Sequence, residues 1–192
     1  MQQLRRDSLR QDILKDLTLF WVAGTGNKDG SHADHYAHEG MVKKVIGGHF
    51  NFVPKICEML SENKIEGYNV PQGAIAQMLR DNAARKVGTI SHVGIGTFAD
   101  PRNGGGRLSE KTKEDIVKII ELEGQEQLFY PRIPLDVAFI RGTYADELGN
   151  ITLEKEIGSS GCNISGDGWF TTMAVWSCSG RKSCQSRSSC PQ

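Results

Sequence analysis

The sequence predicts an α/β fold, an open and mostly parallel sheet with helices on both faces. Three observations carry this. Apolar runs of strand length alternate with helical periods over residues 17–141, the strongest run has no polar face, and glycine or proline closes most of the segments. Parallel neighbours cannot be joined by a tight hairpin. Each needs a crossover, usually a helix, so alternation of this kind builds a helix-covered parallel sheet.

The elements follow in order. Residues 17–23 form an almost unbroken apolar, β-branched and aromatic run, the mark of a strand buried on both faces, and it stops at Gly24-Thr25-Gly26. Residues 34–46 are expected to be a helix, with Tyr36, Ala37, Met41, Val42 and Val45 on one side and Gly47-Gly48 as its left-handed stop. Pro54 suits the first turn of a helix running to residue 60. Residues 65–70 read as a short strand, 73–85 as a helix carrying Ile75, Leu79 and Ala83, and 89–95 as a strand. A helix over 113–122 is expected from the capping pattern Thr112 to Asp115, and a strand over 135–141 resumes after Pro134.

With 192 residues the chain allows one domain, or one domain and a fragment. Lys plus Arg and Asp plus Glu both number 23, which gives no electrostatic footprint for nucleic acid or anionic lipid. No apolar run approaches the ~18 residues of a membrane span. The first twenty residues carry Arg5, Arg6, Asp7, Arg10 and Asp12, with no apolar stretch ahead of a small-residue cleavage site, so a cytoplasmic protein is expected.

Residues 158–192 differ from the rest. Nine Ser, five Gly and four Cys fill half of this stretch, and no period shows outside 169–176. Cys178, Cys184 and Cys190 recur every six residues, whereas structural zinc sites use close pairs two to four apart, and a disulfide framework needs an oxidising compartment. The expected division is therefore a partial N-terminal domain over 1–157 and a tail over 158–192 that is not native to the fold.

Several constellations carry a chemical reading beside a plain one. Gly24-x-Gly26-x-x-x-Gly30 approximates a dinucleotide fingerprint with its last glycine one position late, and a tight turn explains the same glycines. His32, His35 and His38 lack the His-Glu-x-x-His order of a zincin helix, and polar residues at a helix start explain them. Residues 94–107 hold five glycines and a proline directly after a strand. Such backbone can approach a ligand closely, although no Gly-Lys-Ser or Gly-Lys-Thr follows and an ordinary long loop has the same composition. Gln72 sits on the turn between a strand and a helix start, where a donor can meet a carbonyl or carboxylate.

Taken as whole strings, Gly24 to Gly30, His35-Tyr-Ala-His-Glu-Gly40, Val45-Ile-Gly-Gly-His49, Tyr68 to Gly73, His92-Val-Gly-Ile-Gly-Thr-Phe98 to Gly106, Thr112 to Asp115 and Asp136 to Thr143 resemble the family I CoA-transferases. The nearest group resembles the single-chain acetate, propionate and acetoacetate enzymes of short-chain fatty acid and ketone-body metabolism, over roughly residues 10–156. The resemblance implies an open sheet of the NagB/RpiA-like kind in two related halves. It implies CoA exchange between an acyl-CoA and a short-chain carboxylic acid, with CoA as substrate and neither metal nor cofactor.

In that family a glutamate of the second half attacks the thioester. No second half is present in this sequence, and Glu123-Gly124 aligns with a surface turn, so no catalytic residue is expected here. The resemblance places Gly24, Gly26, Gln72, Gly96, Thr97 and Phe98 at the substrate and CoA wall. The chain thus reads as an incomplete first half that needs a β-type second half, domain or chain, with the full enzyme a homo-oligomer. The alternative is an inactive gene fragment, or a structural α-type subunit without activity of its own.

Overall fold

The computed structural model describes residues 15–139, 143–147, 151–152 and 173–177. Strand β1, Leu17–Trp21, is central. All five of its residues are buried, as expected for a strand covered on both faces. It runs parallel to β2, Val42–Gly47, which runs parallel to β3, Glu66–Asn69. Between β2 and β3 lies helix α1, Pro54–Ser61, and after β3 comes helix α2, Gln72–Ala83.

Leu17, Leu19 and Trp21 face one way, into a core with Ile56, Met59 and Leu60 of α1. Phe20 and Val22 face the other, into a core with Ala74, Ile75 and Met78 of α2. The second core is closed by an antiparallel sheet of β4, Gly88–Ser91, β5, Lys118–Leu122, and β6, Gln125–Pro131, through Leu128 and Tyr130.

The large sheet continues past β1 with β10, Met173–Ser177, and then β7, Val137–Phe139, in the order β3-β2-β1-β10-β7. Because β10 is antiparallel to both neighbours, β7 points the same way as β1, β2 and β3, so four of the five strands are co-directional. The sequence-expected tail therefore contributes five residues to this sheet. A small ladder of β8, Tyr144–Ala145, and β9, Ile151–Thr152, lies beyond β7. Trp169, Cys162, Cys178, Cys184 and Cys190 lie outside the described residues.

Two sequence expectations are corrected. Residues 34–46 are not a helix: a 3₁₀ turn covers His32–Tyr36, Gly40 takes φ +80°, and residues 42–47 are β2. Asp34 is buried beneath that turn and accepts from the N–H groups of Lys55 and Ile56, capping α1 instead of joining a helix of its own. Gly47 is no helix stop, for it ends β2 where a β-carbon would strike the Trp21 ring. Residues 113–122 are not a helix either. Thr112 Oγ1 accepts from the Gly67 N–H at 2.9 Å, and Ile119 sits opposite Leu128 in the ladder of β5 and β6. Ile116, Val117, Ile119 and Ile120 suit a helical stripe by spacing, but β-branched side chains favour a pleated sheet when a partner strand is at hand. That partner, β6, was not foreseen. Glu123 and Gly124 join the two strands with φ +51° and +73°, the two left-handed residues of a tight hairpin turn.

Candidate functional site

The strands β1, β2 and β3 all finish at one edge of the sheet, and ligands of open α/β sheets bind beyond such carboxyl ends. The Val70 N–H donates to the Gly47 carbonyl at 3.0 Å, which ties the ends of β2 and β3 together. Next to it, Gly48 has no room for a β-carbon, since one would strike the Val22 carbonyl and stand 2.5 Å from Gln72 Cγ. The segment after β1, the segment after β2 and the head of α2 therefore meet at a single glycine.

Gln72 is the first residue of α2 and is exposed. Its side chain stands at the positive end of the helix dipole, with amide donors free of the charge that a carboxylate would bring. Gly24 and Gly26 are buried on the adjoining loop; Gly26 takes φ +136°, and a side chain there would also meet the Phe52 carbonyl. The loop runs into a 3₁₀ turn, not an α-helix, so the glycines offer no helix N-terminus to a pyrophosphate. Trp21 braces the edge from below, its Nε1 donating to the His49 carbonyl at 2.9 Å.

Two buried polar atoms here have no hydrogen-bond partner among the described residues, Thr25 Oγ1 and Asn69 Oδ1. One lies between the two glycines and the other at the last residue of β3. An unsatisfied buried group costs about 1–3 kcal/mol, and such groups cluster where a ligand or partner supplies the missing bond.

The third component is the glycine-rich loop after β4. Gly96, Thr97 and Phe98 are exposed, Phe98 by 51%. The loop is drawn to the same edge through Gly106, whose N–H donates to the Phe98 carbonyl at 2.7 Å and whose carbonyl accepts from the Asn69 N–H at 2.7 Å. Tyr130 supports it from beneath, its hydroxyl donating to the Val93 carbonyl at 2.7 Å. Burial, aided by the Asp100 charge, pushes that phenol up to about 12, so it remains a donor at neutral pH.

The structure thus sets Gln72 against Gly48 and the Val22 carbonyl, two residues before Gly24, places Gly26 against the Phe52 carbonyl, and ties the loop of Gly96, Thr97 and Phe98 to the end of β3 through Asn69 and Gly106. Among the described residues no group of three or more His, Cys, Asp or Glu side chains could hold a metal ion, and His32 Nδ1 lies 2.6 Å from Ser31 Oγ. A hollow of about 270 Å³ among Asp16, Val42, Ile65 and Lys111 sits at the amino ends of the same strands, away from the ligand edge.

The coenzyme A transferase family model matches residues 6–177. The chain belongs to the coenzyme A transferase family. It is 43% identical over 143 residues to acetate CoA-transferase YdiF of Escherichia coli K12, which is 74% of this chain and 27% of that protein. It is 31% identical over 109 residues to the acetoacetyl-CoA:acetate/butyrate CoA transferase alpha subunit of Clostridium acetobutylicum, 57% of this chain and 44% of that subunit. The crystal structure of the acyl-CoA transferase YdiF apoenzyme from Escherichia coli O157:H7 superposes with a TM-score of 0.74 at 40% identity, covering 80% of this chain and 30% of that one. The chain spans about a quarter of the length of acetate CoA-transferase YdiF.

Within this coenzyme A transferase chain, sequence reasoning missed Gly48, Gly106 and Asp100. Gly48 reads from the sequence as a helix stop, whereas the Val22 carbonyl and the Gln72 side chain are what exclude a β-carbon there. Asp100 stood inside a loop noted for its glycines, although Asp-Pro-Arg beside a glycine run is itself a turn signal.

Proposed function

We propose that this chain forms one wall of the acyl-CoA site in an enzyme that transfers CoA between an acyl-CoA and a short-chain carboxylic acid. The nucleophile comes from a β-type second half. A glutamate carboxylate there adds to the thioester carbonyl and CoA leaves as thiolate, giving a mixed anhydride. The thiolate then attacks the glutamyl carbonyl, the first acid departs, and a glutamyl-CoA thioester remains. The acceptor carboxylate reverses both steps and carries CoA away. Each addition builds negative charge on a carbonyl oxygen, and a neutral amide donor is what that oxygen needs.

Gln72 is that donor. The observation carrying the reading is its convergence with Gly48 and the β1 loop at the carboxyl edge. The relative named as an alpha subunit supports a separate second-half partner for chains of this kind. Among the described residues no helix is long and apolar enough to cross a membrane.

The experiment is Gln72→Ala in the enzyme assembled from this chain and a second half, with turnover and melting temperature read on one preparation. Turnover is expected to fall ~10²–10³-fold with little change in melting. Unchanged turnover with a lower melting temperature would assign Gln72 to helix initiation alone.

A further inference from the structure

The loop after β4 is fastened by one carboxylate. Asp100 is 1% exposed, yet its two oxygens meet four donors. Oδ2 accepts from the Gly96 N–H at 2.9 Å and from Arg102 Nη2 at 2.9 Å, while Oδ1 accepts from the Arg102 N–H and from Nε, both at 3.0 Å. The Asp100 carbonyl accepts from the N–H groups of Asn103 and Gly105 at 2.8 and 2.9 Å. Arg102 in turn reaches Glu126 on β6 at 3.1 Å. An antiparallel bridge between Tyr68 and Arg107 fixes the far end of the loop to β3.

The result is a loop tied from below and bare above. Nothing lies within 4 Å of the place a β-carbon would take on Gly96, and half of the Phe98 surface faces solvent. An exposed aromatic on a coil usually reflects slack. Here the backbone on both sides is bonded, Thr97 N–H and Oγ1 both donating to the Gly94 carbonyl at 3.1 and 2.8 Å. A surface ordered before its ligand arrives avoids the ordering cost of binding.

We propose that Asp100, through its paired contact with Arg102, is a positioning residue that sets the Gly96–Phe98 stretch for the CoA portion of the thioester, with Phe98 as the apolar contact. This rests on the reading above that the loop lines the CoA site. The chemistry demands aspartate. Asparagine would turn an NH₂ toward the Gly96 N–H or toward Arg102, donor against donor, and glutamate would need an extra methylene in a fully enclosed space.

The test uses the assembled enzyme and four variants. Asp100→Asn and Phe98→Ala are each expected to lower kcat/KM for the acyl-CoA on the order of 10²-fold while kcat changes far less. Arg102→Lys, at a half-exposed residue that keeps the charge without the fork, is expected to give a smaller loss of the same sign. Asp81→Asn is the structural comparison: Asp81, on α2, is a buried carboxylate held by Lys86 just after the helix and by Thr89 of β4, and its loss should lower the melting temperature with kcat/KM unchanged. Amide exchange at Gly96 should accelerate in Asp100→Asn and stay unchanged in Asp81→Asn. If Phe98→Ala lowers kcat/KM while Asp100→Asn and Arg102→Lys do not, the positioning role is wrong and the loop reading stands. If Phe98→Ala leaves kcat/KM unchanged, the loop reading and this inference both fail.

Discussion

The side chain of Gln72 fills the space that a β-carbon on Gly48 would need, its Cγ 2.5 Å from that position. The same position is also closed by the backbone carbonyl of Val22, which cannot swing away. Gly48→Ala is therefore expected to push Gln72 off the edge, at an overpacking cost of about 1–3 kcal/mol. Turnover of the assembled enzyme should fall with it. A melting temperature lowered by the substitution with turnover per folded molecule intact would separate Gly48 from the site.

Acid stability follows from the buried carboxylates. The Arg102 guanidinium and the Gly96 N–H hold the Asp100 carboxyl well below the ordinary aspartate range, and Lys86 and Thr89 lower Asp81 in the same direction. A depressed folded value stabilises above the unfolded value, ~3.9, and the contribution is lost as pH falls through the folded value. Asp100→Asn lacks this dependence. Its stability deficit, measured as a urea midpoint, should be widest near pH 7 and narrow below pH 4; a deficit constant from pH 7 to pH 2 would contradict the assignment.

Within residues 158–192 the described part is β10. Met173–Ser177 pairs with β1 along its whole length and with β7 over three residues, so a chain ending at residue 177 keeps this sheet whole. A chain ending at residue 157 should melt lower and less cooperatively, because β1 loses one of its two neighbours. Equal melting of all three chains would mean that β10 adds nothing to the sheet's stability.

How far the sequence spoke depends on what held each element. The apolar run of β1 has no polar face and Pro54 opens a helix, so both were legible. Residues 42–47 and 118–122 were not, because Val45, Ile46, Ile119 and Ile120 satisfy a helical spacing as well as a strand, and the deciding partners, β3 and β6, are tertiary neighbours. Gln72 could be singled out from its turn. The contact that seats it, with Gly48 twenty-four residues earlier, could not, nor could the closure of a glycine loop by the single carboxylate of Asp100. The place of Met173–Ser177 beside β1 had no local signal beyond the apolar run itself.

The most direct measurement of the central claim is CoA exchange between acetate and a labelled acyl-CoA, first with this chain alone and then with the chain joined to or mixed with a second half. The chain alone should give no exchange, whereas the assembled enzyme should exchange CoA and yield a covalent CoA thioester trapped on a glutamate of the second half. Exchange by the purified chain alone, abolished by substituting a carboxylate within it, would place the nucleophile here and contradict the account.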